Sequence, residues 1–227
     1  MSILDAIAKS FGTDKSSETH DYCRKYEKYL KFNRHDDIKL LEIGVSAGQS
    51  IKTWKKYYYN AKILGVDIIP ECKKYEEDHI NVEIGSQTDG VFLEKISKQY
   101  GPFDMILDDG SHINSDVIYS FEHLFDSVKS GGVYIIEDTH TSYFDDYGGG
   151  FRRPGATIEY FKSIIDEVNF LGELSEWHDS AIGQICKTHY RRDKELLQQF
   201  ERKQQQYRGT QIESINFLNG IIIITKR

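Results

Sequence analysis

The chain alternates short aliphatic runs with longer mixed stretches, and that alternation predicts most of its architecture. Runs rich in Ile, Val and Leu fall at 39–45, 63–69, 81–84, 103–107 and 132–136. Their length and continuity suit strands buried on both faces of a parallel sheet. Between them, 49–58, 91–100 and 117–128 carry apolar residues at helical spacing. A strand–helix–strand order of this kind implies right-handed crossovers and a doubly wound α/β sheet. Near the start, Leu4, Ile7, Ala8 and Phe11 fall on one helical face and Tyr22, Tyr26 and Tyr29 follow, which predicts a helical cap beside the sheet. The chain closes with two β-rich runs, 215–218 and 221–225, joined by Asn219-Gly220, a strong hairpin signal.

The organisation expected is one domain: a cap over 1–37, a binding core over 38–139, a lid and insertion over 140–190, and a helix with the terminal hairpin over 191–227. The length of 227 residues fits one decorated domain. Hydrophobic residues at 39% and charged residues at 29% read as globular rather than disordered. A net charge of −7 argues against a nucleic-acid binder working through phosphate neutralisation. Cys23, Cys72 and Cys186 match neither a disulfide framework nor a zinc site, so reduced thiols and a cytoplasmic location are expected. Met1-Ser2-Ile3-Leu4-Asp5 does not read as a signal peptide, and the longest aliphatic run, 221–224, is too short to span a bilayer. No membrane partner is expected, and a homo-oligomer is.

Candidate chemistry collects at the strand ends. After the first strand comes Glu42-Ile43-Gly44-Val45-Ser46-Ala47-Gly48, where glycines admit a ligand to the backbone and the carboxylate can face an ammonium. It is not the Gly-x-Gly-x-x-Gly turn of dinucleotide binders. Asp67 ends the second strand, where an acid can receive a ribose diol. Ser86 and Gln87 follow the third, where an adenine edge would lie. Ser46, Ser50 and Asp108 complete the candidate cofactor set. Taken singly, each of these is also an ordinary turn or helix-capping residue.

The fourth and fifth strands end in Asp108-Asp109-Gly110-Ser111-His112 and Glu137-Asp138-Thr139-His140. Neighbouring strand ends bring such clusters together, and carboxylates gathered in one cleft repel unless a cation sits among them. All-oxygen ligation favours a hard ion such as magnesium. Helix capping by Asp109 and Asp138 is the alternative. His112, three residues past Asp109, is the candidate general base; His140 is the weaker one. Beyond the fifth strand, Tyr143, Tyr147, Arg152 and Arg153 lie in a glycine-rich loop, 143–155. That loop suits a lid over an acceptor sugar, its arginines facing a diphosphate if the sugar is nucleotide-linked.

Parallel strands ending in an antiparallel hairpin are similar to the seven-stranded architecture of class I methyltransferases, which use S-adenosylmethionine. Phe11-Gly12-Thr13-Asp14-Lys15, with His20, Tyr22 and Tyr26-Glu27, resembles the N-terminal signature of metal-dependent sugar O-methyltransferases of macrolide tailoring. The likeness continues through Leu40-Leu41-Glu42-Ile43-Gly44-Val45, Gly85-Ser86-Gln87 with Asp89, Leu107-Asp108-Asp109-Gly110-Ser111-His112, and Ile136-Glu137-Asp138 with Ser142-Tyr143. It covers 11–150 and resumes at the hairpin. No counterpart is expected of the large N-terminal auxiliary region that helps form the acceptor pocket in those enzymes. The Ser-Gln-x-Asp turn also resembles that of catechol O-methyltransferases.

The resemblance implies magnesium held by Asp109, Glu137 and Asp138, with His112 as base and Asp109 in the catalytic pair. It also implies a sugar hydroxyl as acceptor, on a nucleotide-linked sugar, a glycoside or a surface polysaccharide. The competing readings are a nucleotide-cofactor oxidoreductase or hydroxylase on a similar sheet, a methyltransferase for a non-sugar small molecule, and a non-catalytic cofactor-binding partner.

Overall fold

A computed structural model describes residues 2–166, 168–169 and 208–227. Cys186 and the exposed helix expected over 191–207 lie outside the described residues. Seven strands form one sheet in the order β3-β2-β1-β4-β5-β7-β6. They are β1 (Lys39–Ile43), β2 (Lys62–Asp67), β3 (Ile80–Ile84), β4 (Phe103–Asp108), β5 (Val128–Ile136), β6 (Ile212–Leu218) and β7 (Ile221–Lys226). The first five pair in parallel, while β7 inserts antiparallel between β5 and β6. This is the class I methyltransferase order foreseen from the terminal hairpin. The inserted position explains the Ile221–Ile224 run: those four side chains are buried on both faces, whereas β6 at the edge is mostly half-exposed.

Among the described residues, six α-helices flank the sheet: α1 (Ile3–Phe11), α2 (Tyr22–Tyr29), α3 (Gln49–Tyr57), α4 (Gly90–Tyr100), α5 (Asn114–Leu124) and α6 (Thr157–Asp166). Strand side chains alternate between the two faces. Leu40, Met105, Leu107 and Ile135 pack with Leu4, Tyr26 and Trp54 from α1, α2 and α3. Leu41, Ile43, Ile106 and Ile136 pack on the other face with Leu93, Phe121 and Phe161 from α4, α5 and α6. The helical cap thus shares one layer of the sheet with α3.

The passage into β5 differs from the sequence reading. The helix expected to reach residue 128 ends at Leu124, passes through a 3₁₀ turn at Phe125–Ser127, and gives way to β5. Val128 is already paired with Phe103 there, because ladder pairing outweighs the local helical pattern. Between β2 and β3, where no helix was expected, the crossover contains a 3₁₀ turn, Pro70–Tyr75. Cys23 and Cys72 are buried free thiols, as expected.

Candidate active site

A cavity of about 710 Å³ opens above the carboxyl ends of the parallel strands. Its floor depends on glycine at the first turn. Gly44 has φ +94°, and a Cβ there would run into the backbone carbonyl of Asp109, so only glycine lets β1 and β4 meet this closely. Gly48, at φ +72°, opens α3; a Cβ would strike the Tyr75 ring. Gly44, Ser46 and Ser50 line the cavity, but Gly48 does not.

Asp67 lines the cavity and also ties the turn together. Its Oδ2 accepts from the backbone N–H of Val45 at 2.9 Å and Ser46 at 3.0 Å, and its Oδ1 from Ile69 at 2.9 Å. Burial alone would raise its pKa; those N–H groups outweigh burial and leave the carboxyl below its usual value. Ser86 and Gln87 reach the cavity too. The Gln87 amide is committed to its neighbours, donating to Ser120 Oγ at 2.9 Å and accepting from the Ser111 N–H at 2.7 Å.

Two candidate cofactor residues turn away from the cavity. Asp108 is buried on the α5 side of the sheet, 3.3 Å from both Gln87 Nε2 and the Tyr134 hydroxyl, and burial pushes it up to about 7. Glu42 is buried on the α2 side. Neither of its oxygens makes a hydrogen bond, and burial raises it to about 7 against the pull of Lys15.

The chemistry-bearing groups meet where β4 and β5 end side by side. Asp109, His112 and Asp138 each offer a ligand atom within 4.8 Å of the others, and all three line the cavity. His112 Nε2 stands 3.8 Å from Asp109 Oδ1 and 3.6 Å from Asp138 Oδ2. The capping alternative fails for both acids. Ile113 occupies the N-cap of α5, and Asp138, at the N-cap of a 3₁₀ turn, makes no side-chain cap bond. His112 and Asp138 hold left-handed backbone, φ +59° and +49°, as does Ser46 at +48°. Such conformations cost energy in non-glycine residues and persist where the surroundings enforce them.

Glu137 is not in that trio. It is buried on the α2 face, where its Oε2 accepts from Lys15 Nζ at 2.7 Å and its Oε1 from the Tyr26 hydroxyl. Lys15 Nζ also bonds Oδ2 of Asp109, and Tyr22 donates to Oδ1 of Asp138 at 2.7 Å. Burial would strip the charge from Lys15, but Asp109, Glu137 and Glu42 outweigh it and keep the ammonium protonated. Lys15, Tyr22 and Tyr26 were not foreseen as site residues. The signal present was an amphipathic α2 with Tyr22 and Tyr26 one turn apart and a lysine just ahead of it. Among the loop residues, Tyr143 is half exposed beside the site. Tyr147 gives its carbonyl to Asn114 Nδ2 at 2.8 Å. Arg153 bonds Asp145 Oδ1 and the Gly149 carbonyl, both at 2.8 Å, and Arg152 lies over the Phe151 ring. None of the four lines the cavity.

No family model matches the chain. It is 35% identical over 178 residues to the L-olivosyl-oleandolide 3-O-methyltransferase of Streptomyces antibioticus, covering 74% of this chain and 46% of that protein. It is 34% identical over 177 residues to the demethylmacrocin O-methyltransferase of Streptomyces fradiae, covering 73% and 44%. The chain therefore spans about half the length of the curated relatives it matches. Among solved structures, the MycE methyltransferase of mycinamycin biosynthesis, in complex with Mg, SAH and mycinamycin VI, superposes with a TM-score of 0.79 at 29% identity. That match covers 98% of this chain and 53% of the other. Among the described residues, no helix is long and apolar enough to cross a membrane.

Proposed function

The chain belongs to the family of macrolide and sugar O-methyltransferases, and from that premise we propose that it methylates a sugar hydroxyl of a glycoside, using S-adenosylmethionine. The observation that carries the reading is the convergence of Asp109, His112 and Asp138 on the wall of the strand-end cavity. A cofactor-sized space lies beside them, bounded by Gly44, Asp67 and Ser86.

The donor set fits a hard divalent ion. Carboxylate oxygens of Asp109 and Asp138 converge beside His112, and Asp109 and Glu137 already share one cationic centre, the Lys15 ammonium. Asp109, Glu137 and Asp138 would hold magnesium, an ion that acidifies a hydroxyl bound to it. S-adenosylmethionine supplies the electrophilic methyl group. Asp67 would receive the ribose hydroxyls, and the glycine turn after β1 would let the ligand approach the backbone. His112 would take the acceptor's proton at Nε2, which faces the carboxylates of Asp109 and Asp138.

Arg153 is engaged through Nη1 by Asp145 Oδ1 and the Gly149 carbonyl, and neither Arg152 nor Arg153 lines the cavity, which counts against a diphosphate held there. Exposed Tyr143, Phe144 and Phe151 on the same loop suit the apolar body of a glycoside. The name of the Streptomyces antibioticus relative points the same way, since it acts on L-olivosyl-oleandolide, a glycoside. We therefore favour a glycoside over a nucleotide-linked sugar.

The test offers S-adenosylmethionine and magnesium with two acceptor panels, glycosides bearing free sugar hydroxyls and nucleotide sugars, and reads products by mass spectrometry. A methyl gain confined to the glycoside panel is expected. Methylation of nucleotide sugars alone would reverse the acceptor assignment. Full turnover after exhaustive chelation would remove the metal.

A further inference from the structure

The carboxylate cluster already holds a cation of its own. Lys15 enters from the loop between α1 and α2, is only 3% exposed, and bridges Asp109 and Glu137 through one ammonium group. Its backbone is pinned: the carbonyl accepts from the N–H groups of Tyr22 at 2.9 Å and Cys23 at 3.0 Å. The same loop is tied to α1, where Asp5 accepts from the Ser17 N–H at 2.6 Å and the Ser17 hydroxyl at 2.8 Å. What remains free to move is the four-carbon stem. Beyond the bridge, 3.8 Å from Nζ, lies Oε1 of Glu42, fully buried and without a hydrogen bond.

A buried acid with no hydrogen bond and its nearest cation at 3.8 Å is costly, so its persistence calls for a use. Two cations cannot share Asp109 and Glu137 at close range without strong repulsion. We propose that Lys15 is a built-in counter-ion that competes with the divalent ion for Asp109 and Glu137, and that its ammonium passes to Glu42 when the ion enters. A shift of about 1 Å brings Nζ within hydrogen-bonding distance of Glu42, with the backbone unmoved. Lys15 then serves as a positioning residue in both states. Without metal it keeps the acids assembled against their mutual repulsion; with metal it neutralises the acid beneath them. Lys15 stays an ammonium throughout, and its partners change. The inference rests on the reading of Asp109 and Glu137 as metal ligands.

The test is a calorimetric titration of the full chain with Mn²⁺, for the parent, Lys15→Met and Glu42→Gln, with melting curves in the presence and absence of the ion. Removing the competing charge should tighten Mn²⁺ binding in Lys15→Met by roughly tenfold or more. The metal-free melting temperature of that variant should fall, and Mn²⁺ should raise it by more than in the parent. Glu42→Gln should bind Mn²⁺ several-fold more weakly than the parent, because the ammonium has nowhere to go. Unchanged or weaker binding in Lys15→Met would overturn the competition while leaving the metal site standing. If Lys15→Met does not fold, Glu42→Gln decides: binding as tight as the parent's, or tighter, overturns the proposal. Failure of the parent and both variants to bind Mn²⁺ would instead remove the metal site, and the inference with it.

Discussion

Tyr22 donates its hydroxyl hydrogen to Oδ1 of Asp138 at 2.7 Å, and this leaves Oδ2 of the same carboxylate facing His112 Nε2 at 3.6 Å. Asp109 is divided the same way, with Oδ2 held by Lys15 and Oδ1 turned to His112 at 3.8 Å. Each acid therefore has one oxygen anchored by the N-terminal layer and one presented to the cavity. That division fixes the orientation of the pair before any ligand arrives, which is how outer partners tune a metal site.

Tyr22→Phe should accordingly weaken divalent-ion binding by about 10–100-fold, the usual weight of an orienting partner. The fold should persist, because the ring keeps its packing beside Tyr26. A Mn²⁺ titration alongside a melting curve separates the two effects. Parent-like affinity in Tyr22→Phe would mean that Asp138 orients itself without the anchor.

Gly44→Ala tests the floor of the site. The added methyl meets the Asp109 carbonyl on a backbone at φ +94°. Steric overlap and left-handed strain together should cost about 2–4 kcal/mol of stability. Urea denaturation gives the number directly. A loss below about 0.5 kcal/mol, the scale of an ordinary surface change, would show that β1 and β4 can separate freely here.

The limits of the sequence reading follow from strand geometry. Strand ends in a parallel sheet line up, so Glu42, Asp67, Asp109, His112 and Asp138 could be placed in one neighbourhood without coordinates. Which way each side chain turns depends on strand parity, and that settles the fate of adjacent acids. Asp109 continues the face of Met105 and Leu107, toward α2, whereas Asp108 follows Ile106 to the opposite face, under Gln87 and Tyr134. Glu137 continues the face of Ile135 and meets Lys15 and Tyr26 there. Lys15 itself was hidden by distance along the chain: 94 residues separate it from Asp109 and 122 from Glu137. No local pattern encodes a pairing over such a span.

Asp67 gives a prediction with a defined pH dependence. Its carboxyl lies below its usual value in the folded protein, because the N–H groups of Ser46, Ile69 and Val45 outweigh burial. A carboxyl lowered on folding adds stability above its unfolded pKa, about 3.9, and that stability is lost as pH falls through the lower folded value. Asp67→Asn should therefore be less stable than the parent near neutrality, with the gap closing in acid below about pH 4. S-adenosylmethionine binding should weaken by about 1–3 kcal/mol at neutral pH, from unmatched ribose hydroxyls. Denaturation at both pH values and a cofactor titration supply the checks. A stability gap that is constant with pH would assign Asp67's contribution to shape rather than charge.

The proton acceptor can be tested without disturbing the backbone that carries it. His112 sits at φ +59°, a conformation asparagine tolerates better than most residues. Alanine at this position would mix backbone strain with the loss of the ring, so His112→Asn is the cleaner probe. Asparagine keeps a polar side chain beside Asp109 and Asp138 but has no basic nitrogen. If His112 Nε2 takes the acceptor's proton, turnover should fall by about 10²–10⁴-fold. Cofactor affinity and melting temperature should stay close to the parent's, since the cavity wall and the α5 N-terminus are intact. The loss should appear in kcat more than in KM, because proton transfer strengthens in the transition state. Near-parental turnover would exclude His112 as the base. Asp108 could not then replace it, being buried beneath the sheet surface and bonded to Gln87. The role would pass to His140, whose Nδ1 lies 3.9 Å from Asp138 Oδ1.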